Sequence, residues 1–539
     1  MPPSIRVREL RESRFRLLAA LAAAGFALVT VGLLRLQVVE HERYGMLAKE
    51  NRVRLEVLRA PRGAIYDRHG ELLADSGPAF TILFVPFPAE SAHRTAETRT
   101  AAWVERVAAL ADVDTALVRR RVAQANANGQ SAVLRRNAPF RVLAAVEEVR
   151  GELPGLEVQV EPIRRYPHGS LAAHLLGYAA EINDRELEER AAQGYRPGDL
   201  IGRTGVERAY ESILRGADGA EFVVVNAMGR RVSTLTEGPP QRPVPGHDLT
   251  LTIDLGVQQA LEQAMADVER GAAVAIDPRD GGILGLVSRP AFDPNEFSIG
   301  LTRERWAELS RGGSNPLLDR AIQGVYPPGS TFKIVTMAAA LREGVARPGT
   351  RLAPCAGHYV FGGRSFGCWK REGHGSLDFI GALQHSCDVY FYQIGIRLGL
   401  DRLEQTARAF GLGARTGVDL PQEGRGLIPD AAYYDKRWGR GGWRKGLLLN
   451  LAIGQGELLL TPLQLALMVA EVANGGQPIR PHLVATVRGT RDFHADRPEG
   501  AAMKAPAGTW EALRTALEDV VDSGTGTAAK LPGVRVAGK

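Results

Sequence analysis

The chain has 539 residues, of which 45% are hydrophobic and 24% charged, so it is no disordered or low-complexity polymer and has room for two or three packed domains. Its 67 Lys and Arg against 61 Asp and Glu leave a formal charge of +6. The arginines are scattered along the chain instead of being gathered with aromatics on one strip, so the basic balance does not indicate nucleic acid.

Residues 17–34, LLAALAAAGFALVTVGLL, are uncharged and largely apolar. At 1.5 Å per residue they make about 27 Å of helix. Leu36, Val38 and Val39 extend this stretch across a bilayer core, predicting a membrane helix over 17–39. Residues 1–16 carry Arg6, Arg8, Arg11, Arg14 and Arg16 against Glu9 and Glu12, which predicts a cytoplasmic tail with everything after residue 40 outside. The alternative is a cleaved signal peptide. The length of the span and the absence of a small-residue cleavage site before RLQVVEHERYG weigh against it.

Residues 40–245 read as mixed short strands and helices. Val53, Leu55 and Val57 alternate as a strand, YDRHGEL supplies a turn, and 94–129 is helical by spacing, with Trp103, Val104, Val107, Leu110 and Leu117 on one face. The turn-rich TEGPPQRPVPGHD, 236–248, places a domain boundary near 245. Beyond it, Asp254 caps a helix, GAAVAID-PRDG-GILGLVS makes a hairpin, and Thr461, Pro462 and Gln464 open another helix with a capping box. The expected class is α+β, with a mostly antiparallel sheet in the second domain, 246–539.

Ser330 and Lys333, in YPPGSTFKIVTMAAALREG, stand one turn apart at the start of an apolar helix. A serine hydroxyl needs a base before it attacks, and a desolvated lysine is one. Alone, S-x-x-K is a weak signal, since serine caps many helices. Ser386 and Asp388 precede a second apolar helix, where Asp388 has the bland reading of a cap. The sequence ends LPGVRVAGK, at Lys539.

All three cysteines lie within 355–387, interleaved with histidines. An exported chain meets an oxidising compartment, so an odd set of thiols needs either a disulfide with one buried spare or a metal. Candidate ligands are Cys355, Cys368, Cys387, His358, His374 and His385. Cys368 and His374 are spaced closely enough to share an ion, and tetrahedral zinc takes a Cys3His set.

Beyond the three active-site motifs known for penicillin-binding proteins, the strings RGAIYDRHGELLA, IGRTGVERAYESILRGADG, AIDPRDGGILGLVSRPAFDPN, LLDRAIQGVYPPGSTFKI and AIGQGELLLTPLQ resemble the class B penicillin-binding proteins over nearly everything after the anchor. Ser-Cys-Asp in place of Ser-x-Asn and the Cys/His cluster are most similar to the penicillin-binding protein 2 group of cell elongation. The resemblance implies an anchor helix, an elongated pedestal or dimerisation-like domain, and a serine β-lactamase-like transpeptidase domain. It implies a peptidoglycan D,D-transpeptidase inhibited by β-lactams, with Ser330 as nucleophile, Lys333 as base, Ser386 as proton relay, Asp388 orienting that relay, and Lys539 opening the third motif. On this reading the sequence is truncated where the Lys-Thr/Ser-Gly triplet would continue, and without the rest no activity is expected.

The resemblance further implies structural zinc on Cys355, Cys368, His374 and Cys387. It implies a single-pass inner-membrane protein with a periplasmic catalytic domain, acting on stem peptides beside a polytopic glycosyltransferase and other elongation-complex membrane proteins. A non-catalytic scaffold for that glycosyltransferase is the alternative, and a β-lactam sensor or β-lactamase a third.

Overall fold

A computed structural model describes residues 3–40, 53–87, 96, 98, 100–149, 151–225, 231–234, 241–489 and 503–539. Residues 94, 95, 97 and 99 of the expected helix, 236–240 of the expected linker and the side chains of Arg6, Arg8, Arg11 and Arg14 lie outside the described residues.

The N-terminal helix Pro3–Leu34 closes in a π turn, Arg35–Val39. Its stretch Phe15–Val39 is long and apolar enough to cross a membrane and buries none of its surface in protein. The exposed side chains Leu17, Leu21, Phe26, Leu28 and Val31 leave lipid as the natural solvent for this helix.

The chain divides into two compact units, and each is interleaved in sequence. The first combines residues up to Arg59 with Phe80–Glu161 and Ala217–Val244. In it, Val53–Leu58 pairs antiparallel with Gly219–Val225, which pairs in turn with Arg231–Thr234. A second strand pair, Ile82–Phe84 with Ala132–Arg135, is backed by helices. The single helix expected over 94–129 is two, Ala101–Ala111 and Thr115–Asn128. Asp112 turns into the left-handed region (φ 52°), and Asp114 caps the second helix by accepting from the Leu117 N–H. The break rotates the second helix, so that Val118 and Val122 are fully packed while Leu117 and Leu110 are only half-buried. Two polar residues in ADVD stop the helix, a local signal that the apolar period overrode.

The second unit gathers Ala60–Ala79, Pro162–Gly216 and Pro245–Lys539. Leu249–Leu251 lies between Val484–Val487, antiparallel, and Ile65–Tyr66, parallel. The hairpin Gly271–Ile276 and Ile283–Arg289 forms as expected, with Gly281 at φ 87° in its turn. Both caps form as well: Asp254 accepts from the N–H groups of Gly256 and Val257, and Thr461 and Gln464 close the capping box behind Pro462. The core of this unit is the helix Lys333–Arg342, whose residues 333–341 are all buried, packed against Asp388–Leu398, Leu400–Ala409 and Thr509–Ser523.

A buried ionic cluster ties the first two segments of this unit together. Arg62 Nη2 is 2.7 Å from both Glu207 Oε2 and Glu211 Oε2. Arg164 Nε donates to Glu207 Oε1, and its Nη1 donates to the Gly63 carbonyl at 2.7 Å. Tyr166 and Tyr195 donate their hydroxyls to Glu207 and Glu211, and the Gly202 N–H completes the second carboxylate. Burial pushes the Glu207 carboxyl up, but the Arg164 and Arg62 guanidiniums outweigh it and hold the group below the usual carboxylate range. The stability drawn from this carboxylate is therefore complete above its unfolded value and lost as pH falls through its folded one. Glu207→Gln leaves the Arg164 guanidinium without a carboxylate, Arg62 keeping Glu211, and is expected to cost about 3–5 kcal/mol at neutral pH in thermal unfolding. The gap to the wild type should close in acid; a gap independent of pH would show that the charge is not its source.

Candidate active site and metal centre

Ser330 lies on the 3-10 turn Gly329–Phe332 that leads into the buried helix beginning at Lys333. The turn is held from behind by backbone. The Gly329 N–H donates to the Gly454 carbonyl at 2.9 Å, and a Cβ on Gly454 would stand 2.0 Å from the Gly329 oxygen. Gly454 also has φ 75°, so both contact and conformation require glycine there. The Thr336 hydroxyl adds a bond to the Ala452 carbonyl at 2.8 Å.

Lys333 is fully buried, and its ammonium has three acceptors: the Ser386 carbonyl at 2.9 Å, Ser386 Oγ at 3.1 Å and Asp388 Oδ1 at 2.6 Å. Those three bonds use all of its donors. Ser386 Oγ donates to Ser330 Oγ at 3.2 Å, so the described hydrogen bonds join Ser330 to Lys333 through Ser386. Ser386 pays for this aim with a left-handed backbone, φ 52°.

Asp388 opens the helix Asp388–Leu398 and uses its second oxygen to accept the Trp369 backbone N–H at 3.1 Å. The Trp369 indole N–H donates to the Ser386 carbonyl at 3.1 Å. Lys539 Nζ donates to the Leu383 carbonyl at 2.9 Å. Burial, and then the charge of Lys333, push the Lys539 amine down to about 7, with Asp388 pulling the other way. Ser330, Lys333, Ser386, Asp388 and Lys539 thus converge. Trp369 and Gly454 were not singled out from sequence. Gly454 stood unremarked inside AIGQG, and no spacing rule marks a tryptophan that touches two residues far along the chain.

The three thiols are free and buried. Cys355, Cys368, His374 and Cys387 place their ligand atoms within 4.8 Å of one another. His374 Nδ1 is 3.5 Å from Cys368 Sγ and 3.7 Å from Cys355 Sγ. Tetrahedral zinc, with bonds of about 2.0 Å to nitrogen and 2.3 Å to sulfur, spans N···S edges of about 3.6 Å, so the donor set and its spacing fit that ion. The Cys387 and Cys368 thiols perturb each other, Cys368 being held below its ordinary value and Cys387 pushed above it. Of the other candidate ligands, His358 is exposed on the hairpin strand His358–Phe361. His385 stacks 6.2 Å from His374 without joining the set.

Two family models match: the penicillin binding protein transpeptidase domain over residues 271–539, and the penicillin-binding protein dimerisation domain over residues 57–251. The peptidoglycan D,D-transpeptidase MrdA of Acinetobacter baumannii is 36% identical over 507 residues, 94% of this chain and 74% of the relative. Among solved structures, the complex between penicillin-binding protein PBP2 and MreC from Helicobacter pylori aligns with a TM-score of 0.74 at 27% identity, over 90% of this chain and 88% of that one. A chain from a structure titled for the coordination of polymerization and crosslinking by a peptidoglycan synthase complex aligns with a TM-score of 0.67 at 30% identity, over 97% and 89%. A dimerisation domain and a transpeptidase domain agree with these relatives, and the chain belongs to the penicillin-binding protein transpeptidase family.

Proposed function

We propose that this protein is a peptidoglycan D,D-transpeptidase of cell elongation, and that Ser330, Lys333, Ser386, Asp388 and Lys539 carry the reaction. The observation that carries the reading is the hydrogen-bonded path from Ser330 Oγ through Ser386 Oγ to Lys333 Nζ. Hydroxyl hydrogens rotate, so a path that points toward Ser330 at rest also runs from Ser330 to the amine once Lys333 is neutral.

Ser330 Oγ attacks the carbonyl between the two terminal D-alanines of a stem peptide and gives its proton to the Ser386–Lys333 pair. The pair returns the proton to the departing D-alanine nitrogen as the C–N bond breaks, leaving an ester on Ser330. An amine of a neighbouring strand then attacks the ester, and its proton passes back along the same path to restore the serine. One amide is broken and one formed, so no nucleotide is consumed. The Ser330 N–H would be one donor to the oxyanion. Asp388 holds the Lys333 ammonium that forms when the amine takes the serine's proton and, through the Trp369 N–H, keeps a fixed orientation. Lys539, easily discharged at neutral pH, adds a cation near the substrate carboxylate without locking it there.

Cys355, Cys368, His374 and Cys387 would hold zinc, which supplies a crosslink and no chemistry. Cys387 lies between Ser386 and Asp388, so anchoring it fixes the backbone that aims both side chains. The apolar Phe15–Val39 helix supports a single-pass anchor, with the arginine-rich end in the cytoplasm, the rest outside and the inner membrane as its location. The relatives' names support crosslinking and lend nothing to a scaffold alone. Assembly with a polytopic polymerase and with an MreC-like partner is part of the proposal, supported by the neighbours' occurrence in a complex with MreC and in a peptidoglycan synthase complex.

Ser330→Ala should abolish covalent labelling by fluorescent penicillin while thermal unfolding is unchanged; persistent labelling would remove the serine from the mechanism. Gly454→Ala, which drives a methyl into the Gly329 carbonyl, should slow acylation at least tenfold, because the nucleophile's turn must move. An acylation rate within twofold of wild type would show that the turn relaxes freely. Purified protein should carry about one zinc per chain by elemental analysis. Cys368→Ser should lose the metal and lower penicillin acylation and melting temperature together. Full acylation in metal-free protein would refute the brace.

A further inference from the structure

Beyond the N-terminal tail, one stretch gathers cations with aromatics. The segment DKRWGRGGWRK, 435–445, sets Lys436, Arg437, Arg440, Arg444 and Lys445 around Trp438 and Trp443 with Asp435 as the sole acid. All five cations are exposed, and among the described residues none of them makes an ion pair. An isolated cation on a solvated surface is ordinary, but five within ten positions repel one another, and that arrangement costs free energy unless an anion relieves it.

The loop is also built to hold its shape. Tyr434 is fully buried and donates its hydroxyl to Glu457 at 3.1 Å. Trp438 stacks on Tyr434 with ring centroids 5.2 Å apart, and Trp443 leans on it at 5.9 Å. The Gly441 N–H donates to Asp435 Oδ1 at 2.9 Å and the Gly442 N–H to the Gly439 carbonyl at 2.9 Å. A Cβ on Gly442 would stand 2.2 Å from the Trp438 carbonyl, so the turn is tight. Arg437 lies over the Trp438 ring, 5.3 Å from its centroid. The loop leads into the helix Leu447–Ala452 and then to Gly454, the residue packed against the turn that carries Ser330. A rigid cationic surface is thereby mounted on the same support as the nucleophile.

We propose that this loop is a docking surface for the peptidoglycan strand itself, binding the carboxylates that an uncrosslinked strand repeats along its length. The inference rests on the transpeptidase reading, because the substrate of that reaction is a polymer in which each unreacted stem peptide ends in a carboxylate. Single charge pairs at an exposed surface are weak, but several tethered to one strand act together. The loop would hold a strand after one crosslink and present the next stem peptide, leaving reaction with a small β-lactam unaffected.

The test uses the full chain in zwitterionic detergent with purified, insoluble peptidoglycan sacculi. The triple variant Arg440→Gln/Arg444→Gln/Lys445→Gln is compared with wild type for co-sedimentation and, separately, for acylation by fluorescent penicillin. The expected result is a loss of pelleting of at least fivefold in the variant, the same loss for wild type on sacculi whose carboxyls have been amidated, and a penicillin acylation rate within twofold of wild type. Equal pelleting of variant and wild type overturns the proposal. So does loop-dependent displacement from sacculi by micelles doped with phosphatidylglycerol but not by neutral micelles, which would make a lipid surface the partner. Loss of penicillin labelling on Ser330→Ala is scored independently, so failure of the transpeptidase reading and failure of the docking surface remain distinguishable.

Discussion

A lysine ammonium enclosed in protein must find acceptors, and the catalytic unit is arranged around that requirement. Lys333 is reached by no solvent, and its three protons go to one residue's carbonyl, the same residue's hydroxyl and a carboxylate two positions later. An unmet buried charge costs several kcal/mol, so the segment 386–388 is drawn to one position relative to the helix Lys333–Arg342. Ser386 offers both its carbonyl and its hydroxyl to that one amine from a left-handed backbone, φ 52°. Ser330 then needs only its turn, fixed by Gly454, to meet the hydroxyl so presented.

The same logic recurs in the segments that support the catalytic core. Arg62, Arg164, Glu207 and Glu211 come from three stretches of sequence and neutralise one another out of water. Such a cluster adds little net stability over an apolar packing of equal volume, but any misplaced segment leaves a bare charge, so it discriminates strongly among arrangements. Electrostatics here selects the register of the scaffold, and apolar burial supplies the bulk of the energy.

Much of this was legible before any coordinates. The caps at Asp254 and Thr461, the hairpin around Gly281 and the apolar helix after Ser330 all rest on local rules, and the family resemblance pointed to the five residues that the structure brings together. What escaped was whatever depends on a distant partner. The quoted strings RGAIYDRHGELLA and IGRTGVERAYESILRGADG contain Arg62, Glu207 and Glu211, yet nothing in either says that the charges meet. Trp369 reads as a stray aromatic beside a cysteine until its two N–H groups are seen to end on Asp388 and Ser386. The break at Asp112 was local and readable, but apolar spacing on both sides concealed it. The linear boundary near 245 could not convey that residues 60–79 and 162–216 pack with the chain beyond it.

That interleaving has a consequence for how the protein is made. The strand Leu249–Leu251 has one neighbour near the start of the chain, Ile65–Tyr66, and another close to its end, Val484–Val487. The Thr252 hydroxyl bonds to the His482 carbonyl, 230 positions further on. A chain delivered from its N-terminus must leave one edge of Leu249–Leu251 unpaired until Val484–Val487 arrives, and closing so long a loop is entropically slow. Unpaired edges held open for that interval invite the wrong neighbour. The time between synthesis and completion, more than the finished fold's stability, is where this architecture leaves the protein exposed.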